Sequence, residues 1–171
     1  LGSIKINKEE RAQMLKAIPR NSVIGFLIGV LPGAGATIAS FLAYGMERNF
    51  VSDEEKAKFG KGSVHGLAAP ETANNAACSG AFVPLLTLGI PGSGTTAVML
   101  GALLGFGIQP GPRLYITNPE IFWSVIMSMY IGMVVLLILN LPLIPYIARI
   151  LAVPKNYLIP LILFLSITRI Y

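Results

Sequence analysis

Residues 31–37 read LPGAGAT and residues 90–96 read IPGSGTT. Pro32, Gly33, Gly35 and Thr37 of the first copy match Pro91, Gly92, Gly94 and Thr96 of the second. Both copies sit in long uncharged stretches. Pro and Gly are the two worst residues for a helix interior, so each Pro-Gly-x-Gly would cost a continuous helix on the order of 5 kcal/mol. A helix that restarts after such a break opens with free N–H groups and a partial positive charge. With nearby hydroxyls, that end suits a carboxylate or a phosphate. Gly33, Gly35 and Thr37 of one copy, and Gly92, Ser93, Thr95 and Thr96 of the other, are therefore the candidate anion-binding residues. The competing reading is that PGxGxT merely kinks two packed helices, which membrane helices tolerate; a matching second copy favours a site. Neither copy has the Gly-Lys-Ser/Thr of a phosphate loop, and neither follows a strand in a βαβ unit.

The segment APETANNAACSG, residues 69–80, is a polar island ahead of the second copy. Glu71 and Asn75 are four apart and share a helix face, with Asn74 beside them. A carboxyl suits a proton and amide carbonyls suit Na⁺, so Glu71, Asn74 and Asn75 are the candidate cation- or proton-coupling residues. Against this stands a capping role, with Pro70 in a first helical turn and Glu71 at the positive end of the dipole. His65, the sole histidine, reads as a hydrogen-bonded structural residue more than as a proton relay. It has no His or Cys partner at metal-ligand spacing, so no metal site is expected. Cys78 reads as a small packing residue. Ser93 has no histidine base nearby in sequence, and an enzyme is not expected.

The elements that must position these residues are apolar. The chain has 171 residues, 54% hydrophobic and 12% charged, where a soluble domain carries about 25% charged residues. Residues 23–45, 76–108 and 122–148 contain no charge, and each stretch reaches the roughly 20 residues a spanning helix needs. The expected fold is an all-α integral membrane protein. Residues 23–45 and 76–108 are expected to be Pro/Gly-broken or re-entrant hairpin segments, and 122–150 a spanning helix interrupted at Pro142 and Pro145. Residues 157–171 are expected to be a truncated helix. Residues 1–20 read as an amphipathic cytoplasmic or linker helix over 5–18 that stops near Pro19, and 21–171 as a fragment of a transport domain. The net charge of +5 sits in loops beside apolar stretches, as positive-inside orientation requires, and does not indicate nucleic-acid binding.

One conflict arises. Lys5, Lys8, Arg11, Lys16 and Arg20 precede the first apolar stretch, and Arg48, Lys56, Lys58 and Lys61 follow it. A single spanning helix would place the two groups on opposite sides of the membrane, against the usual bias. A hairpin turning at LPGAGAT resolves this, and it is favoured over a broken spanning helix. Backbone that leaves helical geometry at membrane depth must be buried in protein or line a watery cavity. Paired Pro/Gly-interrupted segments point to a secondary-transporter binding site, and the chain reads as one half of an inverted-repeat carrier.

The order GVLPGAG, FLAYGMER and EKAKFGKGSVHGLAAPETANNAACSGAFVPLLTLGIPGSGTTAVMLGALLGFGIQPGPRL resembles the large membrane subunit of the tripartite tricarboxylate transporters. The resemblance covers about residues 20–115 closely. It departs where the family more often has Glu-Gly-Val-x-Ala-Pro-Glu and this chain starts the run with His65. It implies a multi-pass secondary carrier of the bacterial inner membrane, of which this chain would be part of the C-terminal half. It further implies import of citrate-like carboxylates by Na⁺ or H⁺ symport, with no other cofactor. The implied partners are a small membrane subunit and a periplasmic solute-binding protein. A channel or a structural membrane subunit is the alternative, though a filter needs rings of carbonyls or charges about an axis.

Overall fold

The computed structural model describes residues 6–150 and 155–168, and their regular structure is entirely helical. The described residues divide into two compact units, one up to residue 126 and one from residue 127.

Helix α1 spans Lys8–Val30. Asn7 starts it with a capping box: its Oδ1 accepts from the Glu10 N–H at 2.7 Å, and the Glu10 carboxylate accepts from the Asn7 N–H at 2.8 Å. The helix does not stop near Pro19, as the sequence suggested, but runs through it. A buried stripe of Ala17, Asn21, Gly25 and Gly29 crosses the proline, and the packing of that stripe outweighs the one backbone bond Pro19 removes. Residues 31–34 turn the chain, and α2 (Gly35–Phe50) folds back along α1, since Arg20 and Asn21 of α1 meet Glu47 near the far end of α2. The basic groups before and after this hairpin therefore fall at the same end of it.

A short α3 (Asp53–Lys56) leads to α4 (Val64–Gly80), which Ser63 caps by accepting from the Gly66 N–H at 3.0 Å. Gly25 lies against Ala73 and Gly29 against Ala77, so α1 and α4 run parallel with their backbones touching; a Cβ on either glycine would overlap the backbone of α4. The shared core is built from Ala39, Ala43, Ala73 and Ala77. Small residues at four-residue spacing are what lets three helices approach this closely.

Beyond α4 lie α5 (Phe82–Leu88), α6 (Gly94–Gly105) and α7 (Leu114–Thr117). Gly89 ends α5 in the left-handed conformation, φ 71°, against the carbonyl of Pro110. Helix α8 (Pro119–Ile150) continues through Pro142 and Pro145, where a break was expected. Its stretch Pro119–Ile147 holds an 18-residue window of mean hydropathy 2.4, and among the described residues it is the one helix long and apolar enough to cross a membrane. At 1.5 Å per residue it is about 43 Å long, more than the roughly 30 Å of a hydrocarbon core. The described part of the C-terminal segment is α9 (Lys155–Thr168); residues 169–171 of the expected 157–171 lie outside the described residues.

Candidate functional site

Both copies of the repeated string break the helical path, at 31–34 and at 89–93, and the last residues of each string open the next helix. The breaks meet. The Gly33 N–H donates to the Gly92 carbonyl at 3.3 Å. Gly33 and Gly35 adopt φ of 83° and 67°, left-handed values that glycine reaches without a Cβ penalty.

The two helix starts differ. Ala34 precedes α2 and supplies no side-chain cap, and Thr37 in its first turn is exposed. Ser93 caps α6: its Oγ accepts from the Thr96 N–H at 3.2 Å, while Thr96 Oγ1 accepts from the Ser93 N–H at 2.8 Å. Thr96 Oγ1 also donates to the Ser93 carbonyl at 2.9 Å. Ser93 and Thr96 thus spend their hydroxyls on their own helix end, and Thr96 is buried, whereas Thr95 is exposed. Gly92 is buried, and a Cβ there would stand 3.1 Å from the side chain of Ala81.

The structure divides Glu71, Asn74 and Asn75 between two faces of α4. Asn74 turns toward α2 and donates to Ser40 Oγ at 3.2 Å. It lines a cavity of about 320 Å³ with Thr37, Ser40, Phe41, Tyr44 and Pro70. Thr37, a candidate anion residue, and Asn74, a candidate cation residue, therefore share a cavity. Glu71 and Asn75 line a different cavity, about 480 Å³, whose apolar wall includes Met14 and Ile18 of α1. Pro70 and Glu71 lie inside α4, well past its start at Val64, so the capping role for Glu71 is excluded. Proline is accommodated there because Ala69 and Ala73 remain packed on either side of it.

A third site was not legible from motifs. Glu47 is 0% exposed. Its carboxylate accepts from Arg20 Nη2 at 2.5 Å and Nε at 3.0 Å, and from Asn21 Nδ2 at 2.7 Å. His65 Nδ1 lies 2.6 Å from the Glu47 Oε1 atom, which fits the hydrogen-bonded role expected of this histidine. Arg20 also stacks over the Phe50 ring at 4.4 Å. Glu47 lies past the uncharged stretch 23–45. Burial pushes its carboxyl up, but the bonds from Arg20, Asn21 and His65 outweigh burial and hold it below the usual carboxylate range. Asn21 Oδ1 is the buried side-chain polar atom without a partner among the described residues, an omission that ordinarily costs about 1–3 kcal/mol.

The model of the tripartite tricarboxylate transporter TctA family matches residues 2–171. The chain belongs to this family. Two relatives come from Agrobacterium vitis. One, described as an "Uncharacterized 52.8 kDa protein in TAR-I ttuC' 3'region", is 41% identical over 166 residues, 97% of this chain and 33% of the relative. The other, an "Uncharacterized protein in TAR-II ttuC' 3'region", is 46% identical over 144 residues, 84% of this chain and 59% of the relative. The chain thus spans a third of one relative and under two thirds of the other. No solved structure matches.

Membership of the TctA family agrees with the transport class read from the sequence. It does not single out Arg20, Asn21 or Glu47, which the sequence reading passed over. One signal was present. Ala39, Ala43 and Glu47 repeat at four-residue spacing, as do Ala17 and Asn21, and His65 with Ala69, Ala73 and Ala77. A charged group continuing a buried alanine stripe must be paired.

Proposed function

We propose that this segment forms part of the translocation site of a secondary carrier for tricarboxylates and related carboxylates. The observation that carries the reading is the hydrogen bond between Gly33 and Gly92, which brings two matching helix breaks together. A carboxylate would be held by the N–H groups opening α2 from Gly35 onward with the Thr37 hydroxyl, the Gly33 and Ala34 N–H groups being spent within the turn, and by those opening α6 beside Gly92 and Thr95. Ser93 and Thr96 would act there by fixing the α6 N-terminus.

A substrate with two or three negative charges moves inward against a negative-inside potential at a cost of roughly 2.3 kcal/mol per charge per 100 mV. Cations must travel with it. Asn74, beside Thr37 and Ser40, suits Na⁺, and Glu71, with Asn75 in the neighbouring cavity, is the candidate for H⁺. The basic ends of the α1–α2 hairpin would face the cytoplasm, making the hairpin re-entrant in an inner-membrane, multi-pass subunit. The implied partners are a small membrane subunit and a periplasmic solute-binding protein, and the rest of the chain would supply the other half of an inverted repeat.

The test is uptake of labelled citrate, tartrate and succinate by the full-length protein in proteoliposomes with its binding protein. Saturable uptake that requires the binding protein is expected, and unsaturable flux would favour a channel. Asn74→Ala should raise the Na⁺ concentration needed for half-maximal uptake, while Glu71→Gln should alter only pH dependence. Unchanged ion dependence in both variants would refute these coupling roles.

A further inference from the structure

We propose that His65, held against Glu47, is a proton-binding site of this carrier, distinct from Glu71. The inference rests on the carrier reading above for its purpose, though not for its chemistry. Four side chains meet where α1, α2 and α4 converge: Arg20 and Asn21, Glu47, and His65. The Arg20 fork already balances the Glu47 charge. His65 can therefore be neutral, with Nδ1–H donating to Glu47, or can take a second proton on Nε2 while that bond persists. Neither state leaves Glu47 unpaired, so the proton can come and go without dismantling the cluster.

An access route is present. His65 lines a cavity of about 340 Å³ with Gln13, Lys16, Ser52 and Glu55, which opens among charged residues at the basic end of the hairpin. The charged groups around the imidazole are thus Arg20 and Lys16 from α1, Glu47 from α2, and Glu55 from α3.

The cluster is also placed to act on the helix breaks. From it toward the breaks, the buried stripes contain only Gly25 and Gly29 on α1, Ala39 and Ala43 on α2, and Ala69, Ala73, Ala77 and Gly80 on α4. Backbones in direct contact have no side chains to absorb a shift, so a change of charge at His65 is passed along the helices as displacement.

Two measurements on the full-length protein test this. In detergent, the ¹⁵N imidazole signal of His65, assigned by its loss in His65→Gln, should move from its singly to its doubly protonated position in one step as the solution is acidified. In proteoliposomes with the binding protein, labelled citrate uptake by the parent should fall roughly tenfold per pH unit above that step, the slope of a single proton. His65→Gln keeps an N–H donor for Glu47 and should transport at a reduced rate that lacks the parent's pH step at the His65 titration, whatever pH dependence Glu71 contributes. A His65 that keeps one protonation state throughout, or a variant with the parent's pH profile, would overturn the proposal. If His65→Gln does not fold, Glu47→Asp supplies the assignment by displacing the same signal, and the titration alone decides. Absence of uptake in the parent would count against the carrier reading, not against the proton site.

Discussion

LPGAGAT and IPGSGTT share four matched residues, yet the fold gives them opposite characters. The first copy turns through two left-handed glycines, opens α2 without a side-chain cap and leaves Thr37 exposed to a cavity. The second buries Gly92 and closes its helix start with the Ser93–Thr96 capping box. The first copy leaves its hydroxyl uncommitted, whereas the second spends the Ser93 and Thr96 hydroxyls on its own helix end. A repeated motif therefore sets where a chain breaks, while the neighbours of each break decide which polar groups are left for a ligand.

Several variants would break or sharpen this contrast. The largest effect is expected at Gly92. Gly92→Leu meets Ala81 at once, and displacing the junction should cut carboxylate uptake on the order of a hundredfold while the protein is still inserted. Normal uptake in that variant would remove the junction from the transport site.

Next comes Glu47→Ala, which should destabilise the α1–α2 hairpin by about 3–5 kcal/mol because it strands Arg20 beside a buried void. Hydrogen exchange should then speed up in α1 and α2 well before α6. The pH dependence has a definite sign. A carboxyl held low in the folded state stabilises above its unfolded value, near 4.3, and loses that contribution as pH falls through the folded value. The thermal stability of the parent should thus fall on acidification, and Glu47→Gln should flatten that dependence.

Smaller effects separate the two helix starts. Ser93→Ala should lose about 1 kcal/mol of stability with the cap. Thr37→Val should change stability by less than about 0.5 kcal/mol but weaken carboxylate binding several-fold, measured by competition with labelled citrate. Equal stability losses in both would mean that the first start is capped as tightly as the second.

Much of this was legible in the sequence because it is local. Pro-Gly-x-Gly penalises a helix through its own backbone, so both breaks could be placed without knowing their neighbours. The uncharged run at 122–148 likewise fixed α8 as a long apolar helix. Pro19, Pro70, Pro142 and Pro145 show the limit of that logic, since all four lie inside helices. At Pro19 and Pro70 the flanking buried residues pack against neighbouring helices and outweigh a single lost bond.

What only the tertiary structure decided involves residues far apart in sequence. The meeting of Gly33 with Gly92, the separation of Asn74 from Glu71 and Asn75, and the burial of Glu47 against Arg20, Asn21 and His65 depend on how three small-residue stripes interlock. The sequence by itself determined a helical, apolar chain broken twice by the same string, with the family resemblance riding on those segments. It could not rank Glu47 above any other charge beside an apolar stretch. Exposed and buried carboxylates have the same local sequence chemistry, and only packing removes the water that distinguishes them.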